Sequence, residues 1–184
     1  DIIDLSSSSN NGTKQGNALQ TDAGYFGKGF EFDGDGDYVD VGSDASLDIT
    51  ANFTVSAWVY LNRYDASYGG YVVAKRDGTS GQYGMYVANA DGDFDFIRDT
   101  TALDSGYNVP LNTWKNLLFV INDTDVDFYV DGAYSSTVAL GGAIPSEPTV
   151  PVTIGTRLQS GVASGYDFNG TIDDVLIFNR SLSA

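Results

Sequence analysis

Asn52 to Leu61 reads NFTVSAWVYL. Phe53, Val55, Ala57, Val59 and Leu61 occupy alternate positions, and Thr54, Ser56, Trp58 and Tyr60 fill the gaps. Apolar residues at every second position fit a strand with one core face. A helix would bring together residues three and four apart and would mix these two sets. The stretch predicts a β-protein in which Trp58 and Tyr60 lie opposite the core stripe.

The same alternation recurs in both directions along the chain. DVDFYVDG places Val126, Phe128 and Val130 on one face, with Tyr129 on the other. TWKNLLFVIND is apolar on both faces, as a central, doubly covered strand would be. Further strands are predicted at GFEF, YVVAK, GMYVA, DFDFI, VPVTI and IDDVLIF. Asp91-Gly92 and Asp131-Gly132 are hairpin-closing pairs. No long amphipathic helix appears; the tail NRSLSA could begin a short one. About a dozen strands without a linker or repeat predict one domain, residues 1–184, built as two packed antiparallel sheets.

Composition narrows the function. The chain carries 25 acids against 9 bases, a formal charge of −16. Such a surface repels nucleic acid and anionic membranes, and no run is apolar enough to cross a bilayer as a helix. It suits cations, neutral sugars or a basic protein. Cys and His are absent, which excludes disulfides, Cys/His zinc sites and nucleophilic chemistry built on either residue. A bound metal would need oxygen ligands, so Ca²⁺ leads. The chain opens DIIDLSSSSN without Met, which reads as a segment of a larger exported protein. Sequons at Asn11, Asn52, Asn122, Asn169 and Asn179 fit a surface location.

EFDGDGDYVD, Glu31 to Asp40, sets Asp33, Asp35 and Asp37 at alternate positions. An EF-hand loop would need Gly where Tyr38 stands and a bidentate Glu where Asp44 stands. The aspartates instead read as turn residues between two strands.

Six pieces in order carry a resemblance. They are DLSSSSNNGT, GYFGKGFEFDGDGDYVDVG, NFTVSAWVYL, NTWKNLLFVIND, DFYVDG and FNGTIDDVLIFNRSLS. Together they resemble the laminin G-like and pentraxin-like jelly rolls of the concanavalin A-like lectin/glucanase superfamily. The resemblance implies a two-sheet antiparallel jelly-roll β-sandwich. It also implies a structural Ca²⁺ shared by an acid near the N-terminus and one in the last strand. Here these would be Asp4 and Asp173, with Asn11 and Asp174 as weaker candidates. The alternative is that Asp4 caps a turn and Asp173 is solvated.

The superfamily includes glycoside hydrolases, whose chemistry needs two carboxylates at a defined separation. The E-x-D-x-x-E strand of its glucanase branch is missing, and Glu31 and Glu147 each lack a neighbouring Glu. Catalysis is not expected. Sugars stack their apolar faces on aromatic rings. Trp58, Tyr60 and Tyr129 are therefore the candidate ligand-binding residues, with Tyr64, Tyr68, Tyr107 and Tyr166 as further rings in loop-like stretches. The competing expectation is that loops cover Trp58 and Tyr60 as a second small core. The expected function is a non-catalytic extracellular or cell-surface recognition module, binding carbohydrate or mediating adhesion. The alternative is a structural spacer or protein-binding domain of a large surface protein.

Overall fold

A computed structural model describes residues 2–64, 67–78, 80–88 and 91–183. In chain order its strands begin β1 (Thr13–Gln15), β2 (Leu19–Gly24), β3 (Gly27–Asp33), β4 (Tyr38–Gly42), β5 (Phe53–Leu61) and β6 (Gly70–Asp77). They continue β7 (Ser80–Val87), β8 (Asp93–Arg98), β9 (Thr101–Asn108), β10 (Trp114–Asn122) and β11 (Asp125–Val130). Last come β12 (Ala133–Ala139), β13 (Val152–Ile154), β14 (Leu158–Gln159), β15 (Val162–Ala163) and β16 (Asn169–Phe178). One 3₁₀ turn, Ala45–Leu47, precedes β5.

The strands form two sheets. A seven-stranded sheet runs β12-β11-β10-β5-β16-β3-β2. A nine-stranded sheet runs β1-β4-β13-β6-β7-β8-β9, with the β14–β15 hairpin attached to β6. The apolar stripe of β5 lies in the core, Phe53, Val55, Ala57 and Val59 each with no exposed surface. Phe119 and Phe128 join it from the same sheet, and Tyr83, Met85, Phe94 and Phe96 face them from the other. Phe53 packs edge-on to Phe119, and Phe94 edge-on to Phe128.

Each quoted strand is present. Asp131 and Gly132 both take positive φ, 51° and 76°, as the two-residue hairpin between β11 and β12 requires. β10 lies between β5 and β11, as its two apolar faces predicted. The tail does not become a helix. Residues 179–183 instead fold over the end of β5. Thr54 Oγ1 donates to the Arg180 carbonyl and accepts from the Leu182 N–H, and Ser181 Oγ donates to the Ile121 carbonyl. These side-chain bonds take the place of the helix.

The DGDGD stretch is a turn, though not a hairpin. β3 and β4 belong to different sheets, so it is a corner between layers. Asp37 is 1% exposed and its carboxylate accepts the Asn17 and Asp33 N–H groups. Asp33 accepts the Asp35 N–H, and Gly34 and Gly36 take φ of 82° and 76°. Buried Asp167 accepts the Gly36 N–H and the Thr156 hydroxyl. These aspartates satisfy the backbone of the corner.

Candidate functional site: the outer faces of the two sheets

Strand alternation sends Trp58 and Tyr60 to the outer face of the seven-stranded sheet, as expected. Cross-strand register sets Tyr60 beside Trp114 and Thr171, and Trp58 beside Asn116 and Asp173. Two further rings arrive from the β2–β3 hairpin. Tyr25 lies flat on Trp58 with centroids 3.4 Å apart and planes 9° apart, and Phe26 stands edge-on to Tyr25 at 4.6 Å. Trp114 packs beside Tyr25 and Tyr60. Tyr25 is 41% exposed and Phe26 65%, while Trp58, Tyr60 and Trp114 are half-buried.

The hairpin is held in place by Asp173. One carboxylate oxygen accepts the Phe26 N–H at 2.9 Å and the other the Asp174 N–H at 2.8 Å. The carboxylate fits beneath the tip because Gly24 has no side chain; a Cβ there would lie 2.8 Å from Asp173 Oδ2. The exposed platform is therefore Tyr25 and Phe26, and Trp58 is its floor. Both expectations for Trp58 hold in part: it is on the outer face, and a hairpin covers it. Tyr25 and Phe26 were missed because only the pairing of β2 with β3 makes the stretch before GFEF a hairpin, and Trp114 because TWKNLLFVIND does not show which strand pairs with β5.

Tyr129 does not share this cluster. It pairs with Leu118, which pairs with Ser56, one outward position away from Trp58 and two strands over. Its ring partner is Tyr134. Tyr107 lies within β9 and packs on the core, and Tyr64 also packs there while its hydroxyl donates to the Val109 carbonyl. Those two rings are core cover and do not act as free loop aromatics.

The candidate metal ligands fall into two separate groups. Asp4 accepts the Ser6 and Asn10 N–H groups and the Ser6 hydroxyl, and the Asp4 N–H donates to Asn11 Oδ1. The Ser6 N–H, with the other bonds, holds the Asp4 carboxyl below its ordinary value against the effect of burial. This loop reaches Ser46, in the 3₁₀ turn, through Asn10. Asp173 lies mid-strand in the seven-stranded sheet. Asp174 is exposed at a β-bulge with φ of 44°, its carboxyl raised by burial and by Asp173. The two groups share no hydrogen-bond partner, and among the described residues no three acids gather as a metal cluster. A Ca²⁺ shell needs six to eight oxygens converging on a point, from backbone carbonyls as well as carboxylates.

The nine-stranded sheet carries a second outer surface. Register aligns Tyr71, Tyr86, Asp95 and Asp104 in one row across β6 to β9. Tyr71 and Tyr86 lie 4.8 Å apart, and Tyr166 packs on Tyr71 and on Tyr68. Burial raises the Tyr71 and Tyr86 hydroxyl pKa values. Burial, then Asp104, Asp93 and Asp91, pushes Asp95 up to about 7. Sequence reasoning found no carboxylate pair; Asp95 and Asp104 face each other only because β9 pairs with β8. Asp95 is 6% exposed and Asp104 accepts the Gly106 N–H.

The two sheets define a jelly-roll β-sandwich. The model of the concanavalin A-like lectin/glucanase superfamily matches residues 33–184, and the chain belongs to that superfamily. Among solved structures it is similar to domain 4 of AbnA, an extracellular GH43 arabinanase from Geobacillus stearothermophilus, in complex with arabinotriose. Identity there is 15%, with 94% of this chain and 84% of that one covered, at a TM-score of 0.71. The binding domain of Paraclostridial Mosquitocidal Protein 1 matches at 14% identity over 100% of this chain and 47% of that one, TM-score 0.75. The binding domain of botulinum neurotoxin DC, in complex with rat synaptotagmin II, matches at 16% over 98% and 46%, TM-score 0.73. The chain thus spans under half of each toxin binding domain. At these identities the likeness establishes the fold. No helix among the described residues is long and apolar enough to cross a membrane.

Proposed function

We propose that this chain is a non-catalytic carbohydrate-recognition module that works outside the cell, with the Tyr25–Phe26 hairpin as its stacking platform. The observation that carries this is two exposed rings fixed on a floor of Trp58 and Trp114. Sugars present apolar CH faces to such rings, and Asn116, Thr171 and Glu31 line the same face as hydroxyl partners. The similar arabinanase domain was solved with arabinotriose, which supports a saccharide as ligand. The chain's charge of −16 favours a neutral sugar at this platform over an anionic one.

The test is calorimetric titration with arabinotriose and other neutral oligosaccharides. Expected affinities are millimolar to micromolar, roughly −4 to −8 kcal/mol. Tyr25→Ala and Phe26→Ala should each weaken binding about tenfold; Phe26→Ala should leave the melting temperature nearly unchanged, since that ring is the more exposed, while Tyr25→Ala should lower it slightly by removing the stack on Trp58. Binding that survives both substitutions would place the sugar elsewhere. One toxin relative was solved with a protein receptor, and Phe26 also suits a protein surface. Capture of a protein that Phe26→Ala abolishes, with no sugar bound, would favour the adhesion reading. The facing pair Asp95 and Asp104 supplies the observation for a hydrolase reading. Release of reducing ends that Asp95→Asn abolishes would establish it.

A further inference from the structure

The chain has five arginines, and two of them meet at one cleft. Arg76, Asp77, Gly78, Arg157, Gln159 and Ser160 line a cleft of about 470 Å³ between the end of β6 and the β14–β15 hairpin. Arg76 is 7% exposed, and its Nε and Nη1 have no hydrogen-bond partner. Arg157 Nε has none either. Arg157 is held in position by its Nη1, which donates to the Gly78 carbonyl at 2.6 Å, and by the Tyr166 ring 3.9 Å beneath its guanidinium. Acids outnumber bases by 25 to 9, yet neither arginine takes an acidic partner among the described residues. Asp77, the acid in the cleft wall, accepts the Gly161 N–H instead.

Buried guanidinium donors without acceptors are costly, and a forked anion relieves that cost. We infer that the Arg76–Arg157 cleft binds a single carboxylate of an acidic saccharide, a uronic acid residue. The surrounding charge selects one negative group: a polyanion or an anionic membrane would meet the field of the other acids. Gln159 and Ser160 supply the amide and hydroxyl partners that a sugar ring needs beside its carboxylate. This cleft lies on the nine-stranded sheet and does not depend on the Tyr25 platform.

Isotope-labelled protein titrated with sodium D-glucuronate, and followed at the arginine Nε–H signals, tests the inference. The Arg76 and Arg157 signals should shift with glucuronate and stay still with glucose. Arg157→Lys keeps the charge and loses the fork, and should weaken binding about tenfold. Arg157→Gln should abolish it. Arg76→Gln risks the fold, so the Arg157 variants decide. Tyr25→Ala should leave glucuronate binding intact, which separates failure here from failure of the platform. Acetate or inorganic phosphate binding as tightly as glucuronate would overturn the saccharide assignment. An acidic peptide binding more tightly would overturn it too, and absence of any shift at the two arginines would remove the site.

Discussion

At the scale of single residues, Asp95 is an acid held far from its environment in water. Its folded pKa of about 7 lies above the ordinary 3.8, so the folded state holds the proton between those values. Stability then falls as pH rises through that window and levels off above it. Asp95→Asn should flatten this slope and raise stability at pH 8, on the order of 1–3 kcal/mol, read from urea melts across pH. An unchanged slope would mean that Asp95 is hydrated despite its burial. Gly170 gives a contrasting case. It takes φ of 152°, and a Cβ there would lie 2.0 Å from the Tyr60 carbonyl oxygen. Gly170→Ala should cost roughly 3 kcal/mol or more, because the clash is with the backbone of the central strand.

At the scale of elements, the β2–β3 hairpin is the piece on which the proposed platform depends. Its tip is tied down by the Asp173 carboxylate and by the Tyr25–Trp58 stack. Asp173→Ala leaves the Phe26 N–H without its acceptor and should cost about 1–3 kcal/mol. It should also weaken sugar binding, since the rings lose their fixed orientation. The same variant tests Ca²⁺ at Asp4, Asn11, Asp173 and Asp174. If hydrogen bonding is the whole role of Asp173, wild-type protein melts at one temperature in calcium and in chelator, and the variant's loss is the same in both. A melting temperature that drops in chelator only while Asp173 is present would establish a shared ion. The Asp4 loop is a separate element with its own bonds, so Asp4→Ala should loosen residues 4–11 and leave the hairpin unaffected.

At the scale of the whole molecule, the net charge of −16 acts on every element at once. Ion pairs do little to offset it: the two among the described residues, Lys28–Asp22 and Lys115–Asp131, involve exposed or half-exposed groups. Like charges spread over one small domain repel, and added salt screens them within about 10 Å at 0.1 M. The melting temperature should therefore rise by a few degrees from low ionic strength to about 0.2 M NaCl. A flat response would show that the acids, many of them tied to backbone N–H groups, contribute little net repulsion.

The strand pattern was legible because period-2 alternation is a local property: each strand's apolar face follows from its own residues, as in Phe53 to Leu61. The Asp131-Gly132 hairpin and the Asp33 to Asp37 turn were legible for the same reason, since turn chemistry lies in adjacent residues. The absence of Cys and His likewise restricted the chemistry without any fold. Strands β2, β9 and β12 carry weak apolar alternation and exist through their neighbours, so the sequence alone did not reveal them. With them went the Tyr25–Phe26 platform and the facing of Asp95 and Asp104. Whether Trp58 is open or covered and whether Arg76 meets Arg157 both depend on which strands pair. Only tertiary structure decided those questions, because strand pairing joins residues distant along the chain through packing that no local pattern records.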